Sequence, residues 1–209
     1  KCSFEKDEIL EKRFELLKAK LFGFTHSYDE TKAVYNSNNN KDLYANAVAS
    51  YVNGNHSKSK EKLKILIENN NENPFFKELI GEILFVNQKY NEAINFQRDA
   101  MKNFNSDNDI YLMMLGNYLL STEEKEKVKE SIKFLKKSIQ INSGNAYSWY
   151  LLAKAYAYMG EISLANYATA ERYFLIGKKT LSYDFASRAI NDIENNTPEW
   201  FRTYDLIEI

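Results

Sequence analysis

Cysteine occurs once in this chain of 209 residues, as Cys2. A single thiol forms no internal disulfide and offers no thiolate cluster, so a disulfide scaffold and a cysteine-built zinc site are both excluded. Histidine is almost as scarce: His26 and His56 are the only two, each at an expected turn or helix boundary and neither within a His-Glu-x-x-His pattern. The chain also lacks a phosphate-cradling glycine loop, a Gly-x-Ser-x-Gly elbow and a cysteine pair. Neighbouring acids such as Glu123, Glu124 and Glu126 fall in a charged run and read as solvated side chains. With no nucleophile, acid–base pair or ligand set to start from, the chain is expected to be no enzyme and to hold no metal or cofactor of its own.

Charge of one sign is missing too. Twenty-eight Lys and Arg against 29 Asp and Glu give a net charge of -1. That balance removes the electrostatic reason to expect nucleic acid. Lys58, Lys60, Lys62 and Lys64 alternate with acids or apolar residues and read as a solvated helix face. No run of eighteen apolar residues is present, and no hydrophobic signal segment opens the sequence. The first residue is Lys1 rather than methionine, so a processed protein or an excised fragment, with a targeting segment lost upstream, stays open. Two prolines, seven glycines, 44% hydrophobic and 27% charged residues suit a folded helical chain and not a disordered one.

What is there is periodic. From Pro74, the segment NPFFKELIGEILFVNQKYNEAINFQRDAMKNF sets Ile80, Gly81 and Leu84 on one helix and Ala93, Phe96 and Ala100 on the next. Gly81 and Ala93 fall where two helices cross, and a larger side chain would force the axes beyond about 8–10 Å. A unit from about Asn40, 34 residues earlier, carries Leu43 and Ala47, then Ser59, Leu63 and Leu66. A third starts near Asp109 with Leu112, Leu115, Gly116 and Leu119, and its second helix carries Ser131, Phe134 and Ser138 about three residues late. The extra residues in STEEKEKVKE are expected to lengthen a turn or a helix start. A fourth opens near Ala146, with Trp149, Leu152, Ala153 and Tyr156, then Gly160 and Ala165. The helix from about Ile162 to Ile176 can close this unit or open a fifth, in which Ala170, Tyr173, Ser182 and Ala189 take the small and aromatic places. A period near 34 with these residue types is the pattern of tetratricopeptide repeats. The expected fold is all-α, a tetratricopeptide-repeat right-handed solenoid of antiparallel helix pairs. Its expected organisation is N-terminal capping helices over 1–39, a repeat array over 40–194 (40–73, 74–108, 109–145, 146–176, 177–194) and a C-terminal capping helix over 195–209.

The flanks fit that scheme. From Asp7 to Phe24, Ile9, Leu10, Phe14, Leu17, Leu21 and Phe24 form one apolar stripe, the pattern of a helix packed by one face. A short helix over Asp29 to Tyr35 and a turn at SNNN are expected next, so this arm reads as capping or partner-binding structure. At the other end Thr197 and Pro198 suit the N-cap and first position of a helix whose Trp200, Phe201, Tyr204 and Leu206 cover the last repeat.

In such repeats the first helix of each pair lines a groove. The groove positions fall on Tyr44 and Tyr51, then Phe75, Glu78 and Phe85, then Met113, Asn117 and Leu120, then Tyr147, Tyr150, Lys154 and Tyr158. An aromatic groove suits a protein segment, because rigid aromatic side chains give contact area at low entropic cost. The same residues can equally serve as packing between helices. The groove lacks the regular Lys and Asn array that clamps a C-terminal carboxylate in chaperone-binding repeats.

The order of RFELLKAKLFGF, DLYANAVASYVNGN, NPFFKELIGEILFVNQ, NAYSWYLLAKAYAYMGE and GKKTLSYDFASRAINDIENNTPEWFRTYDL resembles the C-terminal region of BepA-like, repeat-containing zinc-dependent metallopeptidases of proteobacteria. The resemblance runs from about Arg13 to Leu206. Its most specific parts are Lys18 to Leu21, Asn73 to Phe76 and the Pro-x-Trp-x-Arg-x-x-Asp ending at Pro198 to Asp205. It implies a parent protease of the periplasm or cell envelope, with zinc held in a preceding catalytic domain and no catalytic residue here. This chain would then recruit envelope protein substrates or partners and pack on the protease domain. Ser59, Ser131, Ser138 and Ser182 depart from the usual alanine. The alternative is a free-standing, cytoplasmic repeat adaptor or co-chaperone with no attached protease.

Overall fold

A computed structural model describes residues 8–70, 72–102 and 108–208. Cys2, Asp7 and the outermost bounds of the expected capping segments lie outside the described residues. Among those described there are twelve α-helices and no strand, so the all-α expectation holds. The chain divides into two compact units, 1–103 and 104–209. Unit 1 holds α1 (Glu8–Thr25), α2 (Tyr28–Val34), α3 (Asn40–Val52), α4 (His56–Asn69), α5 (Pro74–Val86) and α6 (Tyr90–Lys102). Unit 2 holds α7 (Asp109–Leu120), α8 (Lys125–Ile141), α9 (Ala146–Met159), α10 (Ile162–Leu175), α11 (Lys179–Ala189) and α12 (Pro198–Glu208).

Asparagine starts four of the helices that open a pair. Asn39, Asn73, Asn108 and Asn145 precede α3, α5, α7 and α9, and each side-chain oxygen accepts an amide N–H from the first turn. Such a cap satisfies a donor the helix itself cannot, contributing about 1 kcal/mol. Within each pair the turn passes through one left-handed residue, at Gly54, Gln88, Glu123, Gly160 and Gly177. Glycine takes that conformation without a Cβ clash, whereas Gln88 and Glu123 do not have that freedom.

The helix crossings repeat one device. Ser59 Oγ on α4 donates to the Ala47 carbonyl on α3 at 2.7 Å, Ser131 on α8 to Gly116 on α7 at 2.6 Å, and Ser182 on α11 to Ala170 on α10 at 2.9 Å. All three serines are buried. The serines that replace the usual alanine thus tie the second helix to the first at its smallest residue. The same bond and turn in α10–α11 show α10 acting as the first helix of a pair, while its other side packs on α9. Between α5 and α6 the crossing is made by Gly81, where a Cβ would stand 3.4 Å from the Ala93 carbonyl.

Some expectations are corrected. In α8 it is Leu135, not Phe134, that fills the crossing: a Cβ on Gly116 would come within 2.7 Å of Leu135 Cγ. The late register of that unit arises because α8 is lengthened, to 17 residues. On α12, Thr197 Oγ1 accepts the Trp200 amide at 3.2 Å, and Leu206 and Thr203 are buried. Phe201 and Tyr204, expected to cover the last repeat, are instead half-exposed. The dock is finished by Arg202, whose Nε and Nη2 donate to Glu171 of α10 at 2.8 and 3.1 Å.

Candidate protein-binding face

Helix α1 reverses the reading of its own sequence. The stripe expected to pack is turned outward, with Phe14, Leu17, Leu21 and Phe24 between 39% and 65% exposed and Ile9 and Leu10 also exposed. The face laid on α3 is Leu16, Ala19 and Gly23. At Gly23 a Cβ would stand 2.6 Å from the Ala45 carbonyl and 3.0 Å from Val48 Cβ, so glycine sets how near the two backbones come. Lys20 then reaches over to α5 and pairs with Glu78 at 2.6 Å, its side chain 21% and that of Glu78 5% exposed.

Of the groove residues named for unit 1, Tyr44 and Glu78 are therefore covered. Tyr44 is fully buried, its hydroxyl donating to the Phe75 carbonyl at 3.3 Å, and is a core residue that no partner reaches. Glu78 is buried beneath Lys20. Tyr51 is half-buried and donates to Glu82 Oε1 at 3.0 Å, with the Phe24 ring of α1 6.5 Å away. Burial, then the charge of Glu82, pushes the Tyr51 hydroxyl well above its ordinary range. Burial and then Glu78 likewise raise Glu82, against the opposing pull of Tyr51 and Lys20. Phe75 and Phe85 are half-buried, Phe85 with its ring 5.7 Å from that of Tyr90.

In unit 2 the corresponding residues are accessible. On α9, Tyr147 is 49% and Tyr158 46% exposed, Lys154 is exposed, and Tyr150 is half-buried 5.7 Å from Tyr147. Lys154 Nζ and the Arg172 guanidinium of α10 lie 5.7 and 4.7 Å from the Tyr150 ring centroid, a cation–π arrangement that holds the ring in place. The Tyr158 hydroxyl donates to the Glu123 carbonyl. On α7, Met113 and Asn117 are half-buried, and Asn145 Nδ2 meets Met113 Sδ at 3.6 Å. Leu120 is buried and drops out of the face.

Sequence reasoning missed Lys20, Glu82 and Arg172, which act through neighbours distant in sequence. Periodicity gives no sign of them. His26 follows α1, stacked on Phe22 at 3.7 Å, and His56 begins α4 beside Asn87. Among the described residues no three His, Cys, Asp or Glu side chains gather as a metal site, and no helix is long and apolar enough to cross a membrane.

Comparison with known proteins agrees with this architecture. The model of the family described as ChAPs (Chs5p-Arf1p-binding proteins) matches residues 4–170. The chain belongs to the ChAPs family. No curated protein matches it significantly. Among solved structures, the MamA RS-1 ArsTM double mutant is 17% identical with a TM-score of 0.61, over 81% of this chain and 94% of that one. YrrB, described as a TPR protein with an unusual peptide-binding site, is 12% identical with a TM-score of 0.54, over 88% and 99%. TTC0263, a thermophilic TPR protein of Thermus thermophilus, is 12% identical with a TM-score of 0.53, over 82% and 100%. These likenesses establish the repeat fold of this ChAPs chain. None of these descriptions names a metallopeptidase.

Proposed function

We propose that the chain is a non-catalytic repeat module that binds a segment of a protein partner on the α9 face of unit 2. The observation that carries this is the accessible set Tyr147, Tyr150, Lys154 and Tyr158, with Tyr150 braced by Arg172. Braced aromatic side chains lose little entropy on binding and are enriched among interface anchors. The family is described by two protein partners, Chs5p and Arf1p, and YrrB by a peptide-binding site. Both are protein ligands, and that class is what is carried over here, not those partners.

Selection of ligands for the full chain from a displayed random-peptide library tests this. Affinity for the selected peptides is expected to fall by about 1–2 kcal/mol in Tyr147→Ala and in Tyr150→Ala. Selected peptides whose affinity neither substitution alters would remove the α9 face from the proposal.

An arm of an envelope zinc metallopeptidase, handling periplasmic substrates, is supported by motif order alone; a free-standing cytoplasmic adaptor accounts equally well for the fold. The coding sequence upstream of Lys1 separates them. A signal peptide and a His-Glu-x-x-His helix there support the first, and a start codon near Lys1 supports the second.

A further inference from the structure

A second site lies in unit 1, on residues the groove reading did not use. Between α2, the turn after it, α3 and α4 is a cavity of about 310 Å³ whose lining includes Tyr28, Lys32, Ser37, Asn46, Lys58 and Lys62. The sequence reading took Lys58 and Lys62 as a solvated face. They are half-buried, four residues apart on α4, and turned to this cavity with Lys32 of α2.

Like charges at that helical spacing repel. None of the three forms an ion pair among the described residues, whereas Lys64 of α4 reaches Glu68 at 3.9 Å. Lys58 Nζ rests instead on the Tyr28 ring, 3.8 Å from its centroid. Asp42 holds its Oδ2 on the Ser37 amide and hydroxyl at 2.9 and 2.6 Å and makes no ion pair with these lysines. Burial alone would raise the Tyr28 hydroxyl, yet Lys58, Lys62 and Lys32 hold it below its ordinary value. Three ammonium groups therefore act on one point.

Asn46 also lines the cavity. It is 6% exposed, and its Nδ2 donates to the Tyr35 and Asp42 carbonyls at 2.7 and 2.8 Å. Its position is therefore fixed by the backbone, and the charge of the cavity comes from the lysines. The cavity thus asks for a negative group.

We propose that this cavity binds an acidic residue of a protein partner, its carboxylate among Lys32, Lys58 and Lys62. The choice of a peptide as the source rests on the protein-binding reading above. The volume suits one acidic side chain with its peptide unit. Inorganic phosphate offers an oxyanion as well and is the competing source.

The test is a titration of the isotope-labelled full chain followed by NMR. The probes are acetyl-Gly-Glu-Gly-amide, its Gln counterpart and inorganic phosphate. The Glu peptide is expected to give saturable shifts centred on Tyr28, Asn46 and Lys58, and to bind at least about tenfold more tightly than the Gln peptide, since a charged hydrogen bond is lost. Lys58→Gln with Lys62→Gln should abolish that preference without lowering the melting temperature, because the change relieves like-charge repulsion. Tyr150→Ala should leave the titration unchanged, so this proposal and the α9 face fail separately. No saturable binding, equal binding of the Gln peptide, or phosphate binding as tightly as the Glu peptide would each overturn it.

Discussion

Tyr44 and Tyr150 hold the same place in their repeats, the fifth residue of a pair's first helix, and have opposite fates. Tyr44 is fully buried and anchors α3 to the start of α5. Tyr150 is half-buried, braced by Arg172 and bordered by the exposed Tyr147 and Lys154. Around Tyr44, α1 closes in on α3 through Gly23 and locks to α5 through Lys20, and in unit 2 the described residues place no helix over α9 in that way. One repeat template therefore yields a sealed face in unit 1 and an accessible one in unit 2. A position in a repeat fixes the direction of a side chain; only the surroundings decide whether a partner can reach it.

The largest effect expected from breaking this contrast is at the matched tyrosines. Tyr44→Ala should cost roughly 3–5 kcal/mol of stability, as for other buried aromatic truncations. Tyr150→Ala should cost about 1 kcal/mol or less and act mainly on partner affinity. Denaturant melts of the two variants check this, and equal losses would mean that Tyr150 is as much a packing residue as Tyr44. Next is the lock on α1. Lys20→Met leaves Glu78, 5% exposed, as a buried charge without its cation, and unit 1 should lose roughly 3 kcal/mol. Hydrogen exchange read by peptide should show α1 and α5 opening more often while α9 and α10 keep their protection, since distant sites act independently.

The repeat itself was legible, because small-residue crossings and caps are written locally. Asn40, Pro74, Asp109 and Ala146 are the first residues of α3, α5, α7 and α9, where the template placed them. What the sequence did not show was the sealed face. Its most hydrophobic pattern, Phe14, Leu17, Leu21 and Phe24, is the exposed side of α1, while Leu16, Ala19 and Gly23 make the contact. Apolar periodicity measures how much a face gains from burial and misses how near two backbones can come, and here the near approach won. The Lys18 to Leu21 stretch contains the answer, since Ala19 and Lys20 are the packing and pairing residues. The partner of Lys20, Glu78, lies 58 residues on, beyond the reach of any periodic reading. The end of the chain repeats this lesson, with Arg202 committed to Glu171 across 31 residues.

A smaller effect sharpens the electrostatics of the sealed face. Burial first, then Glu78, raises Glu82 above its ordinary value of 4.5. A carboxyl raised on folding binds its proton more tightly in the folded state, so its contribution is present below pH 4.5 and is lost as pH rises through the higher folded value. Glu82→Gln should remove that loss and keep an acceptor for Tyr51. Melting temperatures from pH 4 to 8 should therefore converge at the acid end and favour the variant at neutral pH. A variant no more stable than the parent at neutral pH would mean that Lys20 already compensates both acids.

The finest comparison lies in the turns. Gln88 joins α5 to α6 with φ at 60°, and Glu123 precedes α8 with φ at 55°, where the other pairs use Gly54, Gly160 and Gly177. A left-handed residue with a side chain costs about 1–2 kcal/mol, and glycine removes that cost while adding freedom to the unfolded chain. Gln88→Gly should therefore gain a net amount of about 0.5–1 kcal/mol. Glu123→Gly should gain about as much, since Tyr158 bonds to the backbone carbonyl there, which the substitution retains. Matched gains in denaturant melts would make both turns ordinary strained connections. A loss confined to Glu123→Gly would instead show that the residue's own stiffness holds that carbonyl under Tyr158, and that the accessible face of unit 2 is ordered from the turn beside it.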